Sequence, residues 1–253
     1  MAPEELIKLF IEDIGLRISD IPRVPDVKTP DFLIQDDKAT YVLELKSKFP
    51  NPSKQAERNK SFERGALHEA TEPIVPQNRL SGIIGHAKKQ LDVHVNDEQV
   101  FRLLWLYCGS HLAEAHFEQF HSSLYGSTSL VDWAENGKSG TVYYFYNSDY
   151  FRFKDSIDGA FISTSKKMQF CLNTYSPRYE SLKRSELIKK LPGGIIDPFE
   201  EEKEGNGFIV DTDVNRNDRA TVTDFIIKKY GLSNMTKIMD MNYYSGTVQV
   251  KLD

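Results

Sequence analysis

Residues 100–108 are apolar at every position except Arg102, and this run constrains the fold more than any other feature of the sequence. A strand with one buried face alternates apolar and polar side chains, whereas a strand covered on both faces is apolar almost throughout. The run therefore predicts a central strand in a sheet with helices on both sides. Residues 78–93 predict one of those helices, because Leu80 and Ile84 begin an apolar stripe with helical spacing.

Two further stretches, residues 29–34 and 41–46, predict neighbouring strands joined by a tight turn at residues 36–39. Alternate residues of a strand point to the same side, so Glu44 and Lys46 share one face. The opposite face is apolar and carries Tyr41, Leu43 and Leu45. The pattern predicts a hairpin with one face on the core.

The same hairpin predicts a cluster of charged groups. Pairing of its strands would bring Asp31, which follows Pro30, close to Glu44. Two converging carboxylates supply the oxygen ligands that a hard divalent cation prefers, and Lys46 adds an ammonium beside them. Such a site suits phosphodiester hydrolysis, because metal and ammonium both stabilise charge on a phosphate. Taken singly, the three charged residues are equally typical of turns and exposed strand edges.

The motif Pro30-Asp31 followed by Glu44-Leu45-Lys46 resembles the signature of the PD-(D/E)XK nuclease superfamily. That group includes many restriction enzymes, archaeal-type Holliday-junction resolvases and several DNA-repair exonucleases. The resemblance spans roughly the region from the N-terminus to the end of the buried strand, with five fixed positions.

The resemblance implies an α/β fold with a restriction-endonuclease-like αβββαβ core, in which a mixed central sheet is flanked by helices. The predicted order of elements agrees with it: a helix at residues 3–14, a short strand at 16–21, the hairpin, the helix at 78–93 and the buried strand. We expect a nuclease-like domain at residues 1–175. Residues 176–253 predict a C-terminal α+β elaboration, which either packs on the same core or forms a separate accessory unit.

Weaker patterns extend this outline. Residues 49–77 predict a long polar insertion that holds a short helix, and residues 141–147 and 150–153 predict strands. Residues 197–207 are acidic and contain glycine, which predicts an exposed segment. A final strand is expected at residues 245–252.

The resemblance also implies roles for individual residues. Asp31, Glu44 and the Leu45 carbonyl would hold Mg²⁺, with Mn²⁺ as its substitute. Lys46 would orient the attacking water and neutralise charge in the transition state. Gln90 would bind a metal-bound water or the phosphate, although an exposed helical glutamine is an equally good interpretation.

A further acid on the first helix is implied by the resemblance. Glu5 is the expected member, and Glu4 and Glu12 stay open because helical spacing does not separate them. An acid near a helix N-terminus also favours the helix dipole, which explains Glu4 and Glu5 without any catalytic role.

The net charge of −5 does not by itself indicate a nucleic-acid partner. Basic residues nevertheless outnumber acidic ones between residues 46 and 89. A basic surface beside an acidic metal site is typical of proteins that bind a phosphate backbone. We therefore expect Lys48, Lys88 and Lys89 to contact nucleic acid, while a solvated surface of mixed charge explains the same pattern.

These observations predict a Mg²⁺-dependent deoxyribonuclease, an endonuclease of a restriction, phage-defence or mobile-element system. The superfamily resemblance implies products with a 5′-phosphate. DNA is the expected partner and RNA stays open, and the chain is expected to act as a homodimer or within a larger protein complex. The alternative is a catalytically silent nucleic-acid-binding or assembly subunit that keeps the nuclease fold.

The sequence predicts a cytoplasmic location. Cys108 and Cys171 lie within apolar runs, which favours buried thiols in a reducing compartment. No apolar run approaches the roughly 20 residues that cross a bilayer. Acids at Glu4 and Glu5 occupy the place where a signal peptide would be basic.

Two other motifs do not predict a metal site. His111, His116 and His121 are five residues apart, which turns each by about 140° around a helix and prevents a shared zinc-binding face. Residues 211–215 begin like a calcium loop, but Arg216 stands where the loop needs glycine.

Overall fold

A computed structural model of the protein describes residues 2–23, 28–49, 51–94, 99–109, 111–239 and 243–248. The helices within these ranges are α1 (Pro3–Asp13), α2 (Pro52–Glu63), α3 (Asn78–Leu91), α4 (Ala113–Tyr125), α5 (Asp149–Arg152), α6 (Tyr179–Lys183), α7 (Glu186–Lys190), α8 (Pro198–Glu204) and α9 (Arg219–Tyr230), with a short 3₁₀ helix at Asp92–His94. The strands are β1 (Arg17–Asp20), β2 (Phe32–Gln35), β3 (Thr40–Lys48), β4 (His68–Pro73), β5 (Val100–Cys108), β6 (Thr128–Asp132), β7 (Ser139–Tyr143), β8 (Gly159–Ser163), β9 (Met168–Leu172), β10 (Ile195–Ile196), β11 (Gly207–Ile209), β12 (Thr236–Ile238) and β13 (Tyr243–Val248).

The central sheet has the strand order β1-β2-β3-β5-β8-β9-β10. Strands β1, β2 and β3 are antiparallel to one another, while β3, β5 and β8 run parallel. The parallel step from β3 to β5 needs a crossover, which α3 provides. The prediction of an α/β fold with a mixed sheet flanked by helices is therefore confirmed.

Two apolar clusters cover the two faces of this sheet. On one face, Ile7 and Ile11 of α1 pack with Leu43 of β3. On the other face, Leu80 and Ile84 of α3 belong to the cluster that contains the β5 core. Strand β5 is buried along its length except for half-exposed Tyr107, because helices cover it from both sides. The apolar run at residues 100–108 is thus the central strand that the sequence predicts.

The C-terminal region completes sheets begun earlier in the chain. Strand β10 joins the edge of the central sheet beside β9, and a second sheet has the order β11-β7-β6-β12. Strand β13 pairs with β4 over six residues of each strand. The described residues after residue 175 therefore pair with strands from the earlier part of the chain.

Short helices with side-chain caps form in two segments for which the sequence predicted something else. Residues 150–153 were expected to form a strand, but α5 forms there because Ser148 accepts a hydrogen bond from the Phe151 amide at 3.2 Å. Residues 197–207 were expected to be exposed, but Asp197 is buried and caps α8 through the Phe199 amide at 3.1 Å. The predicted strand at residues 150–153 is therefore wrong, whereas the predicted exposure of residues 197–207 is correct for residues 203–206 and wrong for Asp197 and Pro198.

Other predicted bounds shift by a few residues. The polar insertion does contain a helix, α2, but it also contains β4, which has no apolar pattern of its own. Strand β7 ends before Tyr144, whose φ of 62° turns the chain out of the extended conformation. Of the predicted final strand, residues 249–252 lie outside the described ranges.

Candidate active site

The hairpin of β2 and β3 holds Asp31 beside Glu44. The paired residues begin with Phe32 opposite Leu43, and Asp31 directly precedes this pair, close enough to Glu44 for its carboxylate to raise the Glu44 pKa. The Asp31 amide donates a hydrogen bond to the Leu43 carbonyl at 3.1 Å. The Asp31 carboxylate in turn accepts one from the Leu45 amide at 2.9 Å. Backbone pairing therefore fixes the relative position of the two carboxylates before any other element contributes.

Glu44 is a fully buried acid on the face of β3 that is directed toward α3. One of its oxygens, Oε1, accepts a hydrogen bond from the Lys46 ammonium. The other, Oε2, is buried and has no hydrogen-bond donor among the described residues. Burial raises the pKa of Glu44 to about 7, the Lys46 ammonium opposes that rise, and the neighbouring Asp31 carboxylate adds to it. The buried oxygen and the adjacent second acid together favour a cation at this point.

Gln90 connects α3 to the same cluster. Its side-chain oxygen accepts a hydrogen bond from the Lys46 ammonium at 2.8 Å. Its amide nitrogen donates to the Thr29 carbonyl at 3.0 Å, next to Pro30. The structure therefore brings together four of the residues predicted from sequence: Asp31, Glu44, Lys46 and Gln90. Gln90 contacts the ammonium directly, and it also anchors the segment that carries Asp31.

An open cleft of about 450 Å³ leads to Asp31. Its charged and amide lining consists of Glu4, Asp20, Arg23, Lys28, Asp31 and Gln90. The sequence alone did not point to three of these residues, Asp20, Arg23 and Lys28. The register of β1 was the available signal for Asp20, because Asp20 pairs with Phe32, the neighbour of Asp31.

The first helix presents Glu4 to this cleft, whereas Glu5 has another contact. The Glu5 carboxylate accepts a hydrogen bond from the Ala2 amide at 3.2 Å, within a capping arrangement at the start of α1. Glu12 is exposed and does not line the cleft. The geometry thus favours Glu4 as the helical acid nearest the site, and it gives Glu5 a role in helix capping.

The three lysines expected to bind nucleic acid have different surroundings. Lys88 forms an ion pair with Asp92 at 2.5 Å. Lys89 is exposed on the last turn of α3, with no ion pair in the described part of the chain. Lys48 is buried and lies in a separate cavity. Lys89 is therefore the most accessible of the three for a contact near the cleft.

A metal ion at Asp31 and Glu44 would have few protein ligands. Within the described ranges, no three His, Cys, Asp or Glu residues form a group that could hold a metal. Mg²⁺ often uses one or two carboxylates and keeps several waters, so two acids and a backbone oxygen suit it. The buried Glu44 Oε2 beside Asp31 is the observation that makes the residues fit Mg²⁺ or Mn²⁺. The Leu45 carbonyl stays a predicted ligand.

Comparisons of the chain with protein-family models, with curated proteins and with solved structures find no match. The resemblance to the PD-(D/E)XK superfamily therefore depends on the motif residues and on the arrangement around them. Among the helices that the structure describes, none has the length and apolar character to cross a membrane.

The buried acid should leave a signature in the pH dependence of stability. The folded-state pKa of Glu44, about 7, lies above its ordinary value of 4.5. Between these values the folded chain holds a proton that the unfolded chain releases, so stability falls as pH rises. The loss is complete above the folded-state pKa and reaches roughly 3 kcal/mol, at about 1.4 kcal/mol per pKa unit.

Urea unfolding of the metal-free wild type and of Glu44→Gln, from about pH 4 to about pH 8, measures this effect. The glutamine variant removes the titrating group and keeps its shape. We expect the variant to become progressively more stable than wild type as the pH rises. Parallel profiles for the two proteins would contradict the raised pKa.

Proposed function

We propose that this protein is a metal-dependent nuclease that hydrolyses phosphodiester bonds in DNA. The observation that carries the proposal is the convergence of Asp31 and Glu44. One Glu44 oxygen is buried with no donor among the residues that the structure describes, and the other accepts from the Lys46 ammonium. A buried carboxylate beside a second acid is stabilised in its charged form by a compensating cation. An ammonium alone satisfies one oxygen, which leaves a place for a divalent ion.

The arrangement of elements supports the same proposal. Helix α1, antiparallel β1-β2-β3, crossover helix α3 and parallel β5 occur in the order of the αβββαβ core that the motif implies. Helix α2 and strand β4 are then an insertion between β3 and α3. We propose that this core is restriction-endonuclease-like and that β2 and β3 carry its catalytic acids.

The chain's own residues supply most of the proposed chemistry. Asp31, Glu44 and the Leu45 carbonyl would hold Mg²⁺, which when bound lowers the pKa of a coordinated water. The Lys46 ammonium stands where it can orient that water and stabilise charge on the phosphate. Gln90 fixes the ammonium through its 2.8 Å hydrogen bond. Glu4, Arg23 and Lys28 line the approach that a phosphate backbone would take.

A panel of substrates tests this proposal. The full chain is incubated with supercoiled, linear, single-stranded and branched DNA, and with RNA, in Mg²⁺ or in a chelator. We expect Mg²⁺-dependent conversion of supercoiled DNA to nicked or linear products that carry a 5′-phosphate. If none of the nucleic acids is cut under any metal condition, the nuclease proposal is wrong.

Binding of DNA should also weaken steeply with salt. If the three predicted lysines, Lys48, Lys88 and Lys89, contact three phosphates, log Kobs should fall against log salt with a slope of roughly −2 to −3. Fluorescence anisotropy of a labelled duplex in a chelator measures this slope. A flat response would argue against a phosphate-binding surface beside the cleft.

A second candidate is a nucleic-acid-binding or assembly subunit that keeps the fold without cutting. The contact that favours it is the Lys46–Glu44 ion pair, which partly neutralises the acid that a metal would need. Such a subunit would bind DNA equally well when Asp31 and Glu44 are both replaced by their amides. Metal-dependent cleavage by the wild type separates the two candidates.

A further inference from the structure

A second cavity, of about 170 Å³, lies beyond the candidate active site at the end of β3. It is separate from the cleft at Asp31, since the two share no lining residue. Its titratable lining consists of Lys48, Lys54, Glu72, Arg79, His111 and His116. The nuclease proposal assigns this cavity no role beyond a predicted contact for Lys48.

Lys48 makes this cavity unusual. The residue is only 9% exposed, and its ammonium has no hydrogen bond or ion pair with any residue that the structure describes. Its pKa is lowered, first by burial and then by the nearby Arg79 guanidinium. A buried charge without a partner is unfavourable. The side chain therefore provides the kind of unsatisfied cation that an anionic ligand would stabilise.

The other charges around the cavity are also mainly positive. Arg79 is exposed and has no ion pair in the described ranges. Glu72 is the acid among the described lining residues, and Lys54 already binds it at 2.6 Å. The pKa of His116 is lowered to about 4, by burial and then by the Lys48 ammonium. The cavity thus keeps an excess of positive charge even with neutral histidines.

Two helices begin at the same cavity. Gln77 and Leu112 occupy the N-cap positions of α3 and α4, both line the cavity, and neither supplies a side-chain cap. Amides in the first turn of a helix are left without intrahelical partners, and the helix dipole favours an anion there. Helix N-termini and an unpaired cation together are the features of a phosphate site.

The cavity lies in line with the proposed catalytic residues. Glu44, Lys46 and Lys48 alternate along β3, so all three are directed to one face. Lys48 follows Lys46 by two residues, which is about 6.6 Å along a strand. Phosphates in one strand of a duplex advance by about 3.4 Å each along the axis. A strand held at Lys46 would therefore pass the cavity within a few nucleotides.

We propose that the cavity formed by Lys48, Arg79, His111 and His116 at the N-termini of α3 and α4 binds a phosphate group of the nucleic acid held in the neighbouring cleft. This inference depends on the proposed nuclease function, because it makes the cavity a second point of attachment for the same substrate. The phosphate is either an internal one or the terminal phosphate of a strand end.

Two variants and a matched control test the proposal. Arg79→Ala removes an exposed cation, and Lys48→Met removes the buried one with little change in shape. Arg184→Ala is the control, because Arg184 is exposed and its hydrogen bonds within the described ranges go to Glu180 on α6. This helix packs with the opposite face of the sheet. Thermal unfolding establishes whether each variant is folded. If Lys48→Met does not fold, Arg79→Ala alone tests the proposal.

Binding is measured in a chelator with oligonucleotides that carry a 5′-phosphate or a 5′-hydroxyl. We expect Arg79→Ala to weaken binding by about tenfold and to reduce the salt slope by about 1, while Arg184→Ala matches wild type. A larger effect on the phosphorylated strand assigns the cavity to a terminal phosphate, and equal effects assign it to an internal one. Inorganic phosphate should shift the NMR signals of His111 and His116.

Binding by Arg79→Ala equal to that of the control, together with unchanged histidine signals in phosphate, would overturn the inference. The two proposals fail separately. If the wild type cuts DNA but the cavity variants bind like the control, only the second site is wrong. If the cavity binds phosphate and no nucleic acid is ever cut, only the nuclease proposal is wrong.

Discussion

Replacing Glu44 by glutamine should abolish Mg²⁺-dependent cleavage, with a loss of roughly 10³-fold or more. The change removes one of two charges that would hold the metal, and it leaves the side chain buried at the same place with nearly the same volume. Because the metal-free acid is unfavourably buried, the variant should fold at least as well as wild type near pH 7. The measurement is the initial rate of cleavage of supercoiled DNA.

Two further variants of the candidate site and one control variant are measured in the same way. Asp31→Asn and Lys46→Met should cause losses of similar size, because each removes a different member of the same cluster. Glu180→Gln changes an exposed glutamate on α6 and should cut DNA at the wild-type rate. Full activity in all three site variants would place the chemistry elsewhere in the molecule.

Replacing Asp158 by alanine should lower the free energy of unfolding by about 3–5 kcal/mol. Asp158 is fully buried and accepts hydrogen bonds from the Arg102 amide at 2.7 Å and from Ser176 at 2.5 Å. The Arg178 guanidinium also donates to it at 3.0 Å. The fully buried Arg102 guanidinium lies 3.9 Å away. Removing the carboxylate takes a nearby negative charge away from two arginines, Arg102 and Arg178.

Chemical denaturation of Asp158→Ala beside Asp155→Ala measures this loss. Asp155 is an exposed aspartate three positions earlier, so its replacement should change stability by no more than about 0.5 kcal/mol. A loss below about 1 kcal/mol in Asp158→Ala would show that Arg102 is stabilised without this acid. The prediction concerns the fold alone and does not depend on the proposed chemistry.

The core of the sheet was predictable from sequence because its signals are local. The apolar run around Arg102 specified a strand buried on both faces, and the alternation from Tyr41 to Lys46 specified the inward and outward faces of β3. The hairpin register then follows from a short turn, which is why Asp31 and Glu44 were placed together correctly.

Elements that depend on distant partners could not be predicted. Strand β4 is polar and forms by pairing with β13, which follows it by about 170 residues in the chain. The sequence of β4 therefore carries no strand pattern of its own, although the segment of its partner β13 was expected to form a strand. The short helix α5 depends on one hydroxyl, that of Ser148, which caps its first turn. The aromatic residues that follow Ser148 favoured a strand, so the sequence predicted a strand there.

The candidate site also has features that local sequence patterns could not predict. Choosing between Glu4 and Glu5 needs the direction of α1 over the cleft, which helical spacing does not provide. Lys48 was expected to contact phosphate as one of several basic residues, but its burial follows from the helices that begin around it. Arg79 counted only as one of the basic residues between 46 and 89, because a single arginine at a helix start carries no further signal.

Mn²⁺ binding to the metal-free protein tests most directly whether Asp31 and Glu44 form a metal site. Electron paramagnetic resonance measures the concentration of the free ion, near pH 8, where Glu44 is ionised. We expect saturable binding to the wild type and an affinity lower by at least about tenfold in Asp31→Asn, since even indirect partners of a metal site contribute that much. Equal binding by the two proteins, or none by either, would contradict the proposed metal site.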